Sequence, residues 1–573
     1  MTDIKNYETF VKIESVDKGL SSDKKYYIET IDGQRLLLRV SDISEYDRKK
    51  AGFERMKLMD AANIPMSCPV DFGVCNDGKS VYQLLTWCDG ESLETIIHSL
   101  TETEQYVIGL KAGEILRKIH SVPVAESDMT AETWNEQYSS FIDGSIQAFH
   151  DCGVKADGTE IILDYFNNNR YLLKSRPQCY MHNDYHVGNM MLSPEHKLTI
   201  IDWEILLHNN YGDPWKEISM QETPHFSTGM IRGYFGGEPP IEFFKLLAFY
   251  IASNTLSSVS WAISFGADQT DIMIKQAYDV LKWFDNMNNP VPTWYLKDFH
   301  VQWINGIPCR TSELFDFSFL KGYGKVFKVF DNQDSGCICF GVSDGKNKYF
   351  IKFAGVKTMR HHQHSHIPDA IDRLKAAVIK YKELAHPLLI NLFEAKEVNK
   401  GYMLVFDWFD GESFSVEIPA LHEKYLALPT DKKLSIYERI LQFHEHVAEC
   451  NYVAVDFNDY STLYNFDTDE LKICDIDFYA KQPYINGFGK SLGDYMLMSP
   501  EEQRVAGVLD EVTNVYRMGA TAFMLFSNYD RSPEAWTLSK ALYDVVKKAV
   551  SDAKADRQRS IKQLIEEWRA AKC

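Results

Sequence analysis

Several features that define whole classes of protein are absent from this sequence. It has no apolar run long enough to cross a bilayer and no secretory signal pattern, so we expect neither a membrane span nor export. The eleven cysteines lack the spacing of a metal site or a disulfide framework, as in proteins of a reducing cytoplasm. Basic side chains are outnumbered, 61 against 81 acidic ones, and the net charge of −20 argues against nucleic-acid binding. The sequence therefore predicts a cytoplasmic protein without membrane or nucleic-acid partners.

The 573 residues suffice for two or more domains, and 45% of them are hydrophobic, which is ample for packed cores. An internal near-repeat supports this division. Residues 84–93 and 405–414 share five of ten aligned positions, the Trp, Asp, Gly, Glu and Ser of each segment. A Pro-rich break at residues 288–293 follows an amphipathic segment. We therefore predict two related domains in tandem, residues 1–298 and 305–573.

The most specific motif is Met181-His-Asn-Asp-Tyr-His-Val-Gly-Asn189, which an apolar run then connects to Ile201-Asp-Trp-Glu204. Asp184, Asn189 and Asp202 have the order and spacing of a kinase-type phosphotransfer site. A carboxylate such as Asp184 can orient and partly deprotonate an attacking hydroxyl group. An amide oxygen and a carboxylate suit Mg²⁺, which prefers oxygen ligands. The alternative is a loop in which these polar side chains only hydrogen-bond to one another.

Residues 1–298 resemble the aminoglycoside phosphotransferase family, which also includes choline-kinase-like and sugar-kinase-like enzymes. The family pattern His-Gly-Asp-x-His-x-Gly-Asn is matched at residues 182–189, with Asn183 in place of the first glycine. The pattern Ile-Asp-Trp/Phe-Glu is matched at residues 201–204. A later segment, residues 211–215, resembles the Gly-Asp-Pro motif of the family, but a helix that starts at Pro214 with Asp213 as its cap is the preferred interpretation.

The resemblance implies that Asp184 is the catalytic base and that Asn189 and Asp202 hold Mg²⁺. It further implies that ATP donates its γ-phosphate to a hydroxyl group of a small molecule. Aminoglycoside, sugar and amino-alcohol acceptors all remain open. The stretch between hinge and catalytic aspartate is much longer in the first half than in the second. In the family, such insertions shape a small-molecule acceptor pocket.

Three alternating segments near the start predict strands, and a helix is predicted from Glu45 to Ala62. The third of these strands carries Arg39 where kinases have the lysine that holds the α- and β-phosphates. Arginine stays charged and grips phosphate with two donors, while the alternative is an arginine that faces solvent. We expect Glu54 of the helix to pair with Arg39, with Glu45 as the competing partner.

Two further segments predict contacts with the nucleotide. Ser21 and Ser22 lie in a turn between the first two strands that could cover the phosphates. Thr86, Trp87 and Cys88 follow a predicted strand as a kinase hinge, whose backbone would pair with adenine.

One motif is misleading. Residues 73–80 match the P-loop pattern literally, but a P-loop needs a helix after it, and a strand-like segment follows here. The Asn-Asp-Gly sequence at its centre favours a hairpin turn.

The second half resembles a protein kinase. Lys352 lies at the end of its third predicted strand, in the position of the phosphate-binding lysine. Asp456 takes the position of the catalytic aspartate, and Asp475 replaces the metal-binding aspartate of Asp-Phe-Gly. Glu501 matches the glutamate of Ala-Pro-Glu, for which Arg559 is the expected partner.

Two residues that kinases need are missing from this half. Ser461 stands five positions after Asp456, where the metal-binding Asn belongs, and Ala377 stands where the helix glutamate belongs. An offset register, Asp459 with Asn465, would restore an Asp/Asn pair with a longer spacing. The second domain is therefore either an active kinase, with a protein as acceptor, or a regulatory module.

The fold prediction is an α+β protein of two tandem protein-kinase-like bilobal domains, each with a small antiparallel-sheet lobe and a larger helical lobe. The function prediction is an ATP- and Mg²⁺-dependent phosphotransferase. The alternative is a non-catalytic nucleotide-sensing scaffold of two pseudokinases. The histidine run at residues 361–366 fits a polar loop better than a metal site, since no Cys or carboxylate completes a ligand set.

Overall fold

The computed structural model describes residues 2–16, 23–126, 129, 132–154, 157–203, 211–219, 222–333, 335–359, 369–415, 419–487 and 495–572. The chain divides into two compact units, Met1–Lys297 and Asp298–Cys573. Ser21, Ser22 and the histidine run at residues 361–366 lie outside the described residues. Within the described ranges, no helix combines the length and apolarity needed to cross a membrane.

The first unit begins with strands and continues mainly with helices. Its strands are β1 (Phe10–Ser15), β2 (Lys24–Thr30), β3 (Arg35–Asp42), β4 (Pro69–Cys75), β5 (Ser80–Thr86), β6 (Glu91–Ser92), β7 (Cys179–Tyr180), β8 (Met190–Leu192), β9 (Leu198–Ile200) and β10 (Tyr211–Gly212). Its helices are α1 (Tyr46–Ala61), α2 (Leu93–Ile96), α3 (Glu102–His120), α4 (Trp134–Asp151), α5 (Thr159–Asn169), α6 (Pro224–Phe235), α7 (Ile241–Ala262) and α8 (Ala267–Trp283).

Five antiparallel strands form the first sheet in the order β1-β2-β3-β5-β4, with α1 between β3 and β4 in the chain. Arg39 on β3 lies opposite Lys25 on β2 and Gln83 on β5. The string that imitates a P-loop is the hairpin between β4 and β5. Asn76, Asp77 and Gly78 adopt left-handed φ angles of 54°, 55° and 81° there, and a strand follows, so the rejection of a P-loop is confirmed.

Helices α3 and α6 cross with their backbones in close contact. A Cβ added at Gly109 of α3 would lie 2.2 Å from the carbonyl oxygen of Phe226, and one added at Gly229 of α6 would lie 2.2 Å from that of Tyr106. Only glycine permits this approach on both helices. The crossing positions the loop of residues 181–189, the predicted catalytic loop, because Tyr185 donates its hydroxyl to the carbonyl of Ala112 on α3 at 2.7 Å.

The second unit repeats this plan. Its strands are β11 (His300–Ile304), β12 (Ile307–Thr311), β13 (Lys325–Phe330), β14 (Cys337–Ser343), β15 (Lys348–Ala354), β16 (Leu392–Val398), β17 (Gly401–Asp407), β18 (Glu412–Ser413), β19 (Tyr452–Val453), β20 (Thr462–Tyr464), β21 (Leu471–Ile473), β22 (Ala480–Lys481), β23 (Tyr484–Ile485) and β24 (Val508–Leu509). Its helices are α9 (Ala370–Glu383), α10 (Pro419–Leu426), α11 (Thr430–Glu449), α12 (Glu511–Ser527), α13 (Lys540–Ala549) and α14 (Ile561–Lys572).

The sheet order β13-β14-β15-β17-β16 is that of the first unit, and β18-β20-β21 corresponds to β6-β8-β9. The two repeated segments occupy equivalent places. Each runs from a central strand, β5 or β17, into a short strand that pairs with the strand after the catalytic loop. The sequence repeat therefore marks a repeated topology.

A buried arginine organises the helical part of the second unit. Arg517 on α12 forms an ion pair with Glu502, and both side chains are 1% exposed. Glu501, next to it, binds Arg557 with two hydrogen bonds of 2.7 and 3.0 Å. The expected partner Arg559 is exposed, so that assignment is wrong by two positions.

Candidate functional site

The catalytic loop of the first unit connects β7 to β8 through a 3-10 turn at Val187–Asn189. Asn189 Nδ2 donates to Oδ2 of Asp184 at 2.8 Å and to its main-chain oxygen at 2.9 Å. His186 Nε2 lies 3.4 Å from Oδ1 of the same aspartate. The hydrogen bond from His186 lowers the pKa of Asp184 below its ordinary value, and Asp184 in turn raises the pKa of His186. Asp184 is thus held oriented and ionised.

A buried carboxylate that the sequence analysis missed holds the start of this loop. Glu217 accepts hydrogen bonds from the amides of His182, at 3.1 Å, and Asn183. It also contacts His120 Nε2 at 2.8 Å. Burial on its own raises the pKa of Glu217, but the hydrogen bond and charge of His120 reverse this effect, so the pKa is lowered overall. Glu217 thereby connects α3 to the catalytic loop.

His182 joins the loop to the segment that carries Asp202. Its Nε2 lies 3.0 Å from the carbonyl oxygen of Ile201, and its ring meets the Trp203 ring edge-on at 4.8 Å. Burial lowers the pKa of His182, so the ring is neutral at pH 7 and Nε2 carries the donated proton. The first histidine of the motif is therefore structural.

Asn189 and Asp202 are brought together by the backbone. The amide of Ile201 donates to the carbonyl of Asn189 at 2.9 Å, and Asp202 follows with a left-handed φ of 61°. Oδ1 of Asp202 accepts from Arg39 Nη1 at 3.0 Å. Oδ1 of Asn189 and Oδ2 of Asp202 have no hydrogen-bond partner among the described residues. These oxygens fit a Mg²⁺ ion, which takes amide and carboxylate oxygens.

Arg39 is buried at 5% exposure and bridges two carboxylates. Besides Asp202 it binds Asp23, whose Oδ2 accepts from Arg39 Nε at 3.0 Å. The expected Arg39–Glu54 ion pair is wrong. Glu54 is exposed and pairs with Lys57 at 2.9 Å, and Glu45 pairs with Arg48. The inward face of α1 instead carries Lys49. Glu54, five residues later on the same helix, points in a different direction because the helix has 3.6 residues per turn.

The hinge residues are only partly available to a nucleotide. Thr86 donates its amide to Cys68 and accepts from the Ser67 hydroxyl, and the Trp87 amide donates to Arg35 at 3.0 Å. The carbonyl of Trp87 and the backbone groups of Cys88 make no hydrogen bond within the described residues. Of the predicted hinge, only the carbonyl of Trp87 and the backbone groups of Cys88 therefore remain as candidates for hydrogen bonds with adenine.

Aromatic side chains border the same hinge. The Tyr27 ring on β2 meets the Trp87 ring edge-on at 4.8 Å and remains partly exposed. Tyr27 lies opposite Leu37, two residues before Arg39 on the cleft-facing side of β3. The sequence analysis did not identify Tyr27, although strand alternation places it on the same face as Arg39.

Asp213 has a larger role than the predicted cap. It does accept from the amide of Trp215 at 2.9 Å. It also forms a two-bond ion pair with Arg176, at 2.5 and 2.8 Å, and accepts from the Tyr250 hydroxyl at 2.6 Å. Asp213 is 0% exposed, so its ion pair with Arg176 lies against the helical core.

Two acidic side chains, Glu94 on α2 and Glu222 before α6, lie near the catalytic loop. A Cβ added at Gly188 would lie 3.3 Å from Oε2 of Glu94. Burial raises the pKa of Glu222, and the charge of Glu94 adds to the effect, whereas His186 opposes it. Glu94, Glu222 and His186 thus share one electrostatic neighbourhood beside Asp184.

In the second unit, Lys352 is 6% exposed and lies between two aspartates. Its Nζ is 2.6 Å from Oδ1 of Asp475 and 2.6 Å from Oδ2 of Asp477. Asp475 has a left-handed φ of 56°, like Asp202, and the amide before it donates to the carbonyl of Ser461 at 2.9 Å. Ser461 therefore occupies the place of Asn189.

Asp456 occupies the place of Asp184 in a different environment. Burial raises its pKa to about 7, and the charge of Asp475 acts in the same direction. The Ser461 hydroxyl accepts a hydrogen bond from the backbone N–H of Asn458 at 3.2 Å, so Ser461 takes part in a local turn. The side-chain Nδ2 of Asn458 lies 3.5 Å from Oδ1 of Asp456.

The other sequence expectations for this unit have mixed outcomes. The offset pair is wrong, because Asn465 caps a hairpin turn by accepting from the amides of Asp467 and Thr468. Ala377 is fully buried on α9, and Asp477 supplies the second carboxylate to Lys352 instead of the helix. Phe350, two positions before Lys352, packs in an aromatic cluster, 6.5 Å from the Trp408 ring.

No curated protein matches the chain. A family model does match its first half, over the sheet, the catalytic loop and helix α6. Residues 12–234 are similar to the phosphotransferase enzyme family.

Proposed function

We propose that the first unit is an ATP- and Mg²⁺-dependent phosphotransferase that transfers the γ-phosphate of ATP to a hydroxyl group of a small molecule. The carrying observation is the joint placement of Asp184, Asn189 and Asp202. The side-chain amide of Asn189 binds Asp184, the backbone bond from Ile201 to Asn189 places Asp202, and Arg39 binds Asp202 at 3.0 Å. The family match over residues 12–234 supports a phosphotransferase of this kind. Both units share the sheet order of the predicted kinase-like lobes, which supports a bilobal fold for each.

Each side chain has a role that follows from its surroundings. Asp184, ionised and oriented by Asn189 and His186, accepts the proton of the acceptor hydroxyl as its oxygen attacks the γ-phosphorus. The bond between that phosphorus and the β,γ-bridging oxygen breaks, and ADP leaves. Arg39 holds the phosphates with a permanent charge. Asn189 and Asp202 would hold Mg²⁺, which neutralises phosphate charge when bound.

We infer that the acceptor carries positive charge. Glu94 and Glu222 lie in the neighbourhood of Asp184 and His186, and the net charge of the chain is −20. An aminoglycoside or an amino alcohol matches these carboxylates better than a neutral sugar. The acidic side chains would favour binding of the ammonium groups while Asp184 receives the hydroxyl.

For the second unit we propose a regulatory role. A serine occupies the place of the metal-binding asparagine, and α9 offers Ala377 where an active kinase has glutamate. The pKa of Asp456 near 7 leaves it partly protonated, which weakens it as a base at neutral pH. Phe350 and Trp408 would narrow the adenine subsite. A protein acceptor for this unit is the competing proposal, and a nucleotide-sensing scaffold without chemistry is the competing proposal for the chain.

ATP consumption tests these proposals together. The intact chain is incubated with Mg²⁺, ATP and a panel of aminoglycosides, amino alcohols, sugars and a generic protein, beside Asp184→Asn and Asp456→Asn. We expect turnover with a cationic acceptor, lost in Asp184→Asn and kept in Asp456→Asn. Loss only in Asp456→Asn would transfer the chemistry to the second unit. No turnover with any acceptor, together with intact ATP binding, would favour the nucleotide-sensing scaffold.

A further inference from the structure

The cation of strand β3 is anchored differently from the lysine of protein kinases. There, a glutamate of the following helix pairs with the strand lysine. Here, the helix position that faces the strand is Lys49, on the buried face of α1 with Gly52 and Phe53. A helix lysine cannot anchor a strand arginine directly, because like charges repel. A carboxylate must lie between them.

Asp23, one residue before β2, is that carboxylate. Its Oδ2 accepts from Arg39 Nε at 3.0 Å and from Lys49 Nζ at 2.6 Å, and its Oδ1 accepts from the Ser41 hydroxyl at 2.6 Å. The side chains are almost fully buried, with exposures of 4% for Asp23, 6% for Arg39 and 3% for Lys49. Removal of one partner of a buried ion pair destabilises a protein much more than removal of one partner of a surface pair.

We propose that Asp23, held by Lys49 and Ser41, is the positioning residue that aims Arg39 at the nucleotide phosphates. This inference rests on the proposed function of the first unit. Arg39 reaches Asp202 with Nη1 and Asp23 with Nε, so Asp23 fixes the guanidinium plane while Nη1 remains directed at the metal-binding carboxylate. The ion pair between strand and helix is thus inverted in polarity, and the anchoring carboxylate lies on the sheet side.

Charge balance explains why both cations are needed. Arg39 and Lys49 share Oδ2 of Asp23, and Asp202 supplies the second negative charge. Without Asp23, Lys49 would lose the carboxylate that it shares with Arg39, and Arg39 would keep Asp202 but lose the contact that fixes its guanidinium plane. A glutamate at position 49 would place a negative charge on the helix side of Arg39, which is the polarity of the ion pair in protein kinases.

Calorimetric titration of the full chain with MgADP and with adenosine tests this role. We expect Asp23→Asn and Arg39→Met to weaken MgADP binding by about tenfold or more, as for groups that orient a ligand residue. Adenosine binding should not change, because adenosine has no phosphate for Arg39 to hold. The double variant D23N/K49E should bind MgADP more tightly than Asp23→Asn. Asp71→Asn, which removes a carboxylate bonded to Tyr82 in the same unit, is the matched control and should match the wild type.

Two results would overturn the inference. The first is wild-type MgADP affinity in Asp23→Asn while Arg39→Met loses it, and the second is an equal loss of adenosine affinity in Asp23→Asn, which indicates a merely structural role. Unchanged MgADP binding in Arg39→Met is a separate outcome. It would remove the phosphate site from Arg39 and overturn the proposed nucleotide site as well.

Discussion

Lys352 Nζ lies 2.6 Å from Oδ1 of Asp475, and Arg39 Nη1 lies 3.0 Å from Oδ1 of Asp202. In each unit, the cation on the third strand of the five-stranded sheet is bound to the carboxylate that follows the second strand after the catalytic loop, β9 or β21. Each aspartate has a left-handed backbone, with φ angles of 56° and 61°. The same contact therefore exists twice, although only the first unit keeps the asparagine that would share a metal ion.

Replacement of Asp184 by Asn should separate chemistry from binding. The variant keeps the shape of the side chain but removes the proton acceptor, so kcat should fall by about a hundredfold to ten-thousandfold. The affinity for MgADP should change little, since Asn189 and Asp202 are untouched. Steady-state kinetics and calorimetry check this expectation. A variant with unchanged kcat would show that Asp184 is not the base.

The pH dependence of the reaction should depend on His186. Its hydrogen bond lowers the pKa of Asp184, so Asp184 stays ionised to a more acidic pH than an ordinary aspartate. Without that bond, in His186→Asn, the pKa should rise and the acid limb of the kcat profile should move to higher pH. His196→Asn, on the hairpin between β8 and β9, is the control and should leave the limb in place. An unmoved limb in His186→Asn would contradict the assignment.

The contributions of Asp456 and Asp184 to the stability of the fold should change with pH in opposite directions. The pKa of Asp456 is raised to about 7 by burial, so the folded state binds its proton more tightly than the unfolded state. That contribution is complete below the ordinary aspartate pKa and is lost as the pH rises through 7. Asp456→Asn should therefore raise the melting temperature more at pH 8 than at pH 5.

Asp184→Asn is the matched comparison. Its lowered pKa means that ionised Asp184 stabilises the fold above the ordinary pKa, and that this stabilisation is lost as the pH falls. The variant should therefore melt at a lower temperature than the wild type at pH 8. Calorimetric scans at both pH values measure the two effects. A fall at pH 8 in Asp456→Asn would contradict the raised pKa.

The crossing of α3 and α6 predicts a contrast between two glycines. Gly109→Ala would place a Cβ 2.2 Å from the Phe226 carbonyl oxygen and should destabilise the first unit by about 1–3 kcal/mol. Gly144, in α4, has no atom within 4 Å of an added Cβ. Gly144→Ala should stabilise the unit by about 0.4–1 kcal/mol, since it only restricts the unfolded chain. Denaturant unfolding of both variants measures the difference.

Local patterns predicted a large part of this molecule. The alternating segments around Arg39 and Lys352 are strands, the Asn-Asp-Gly hairpin is present, and the repeated ten-residue segment marks equivalent strands. These features follow from period-two alternation and turn chemistry over a few residues. The residues of the catalytic motif lie together because a short loop and the strand beside it carry all of them.

The residues that the sequence did not reveal act over long distances in the chain. Asp23 reaches Arg39, and Glu217 reaches back to His182 and Asn183. A single sequence shows no spacing rule for such pairs, because tertiary packing decides them. Glu54 was chosen by position along the helix, but the direction of a helical side chain rotates by about 100° per residue. The choice therefore failed although the helix itself is present.

The contact of Glu217 has a consequence for synthesis of the chain. The ribosome completes the first sheet and Asp184 well before residue 217, but the amides of His182 and Asn183 acquire their buried acceptor only then. In the second unit, Asn514 accepts from the amide of Ala454 in the same way. A nascent chain that ends between residues 204 and 217 would carry every residue of the motif and would still lack the acceptor for these two amides.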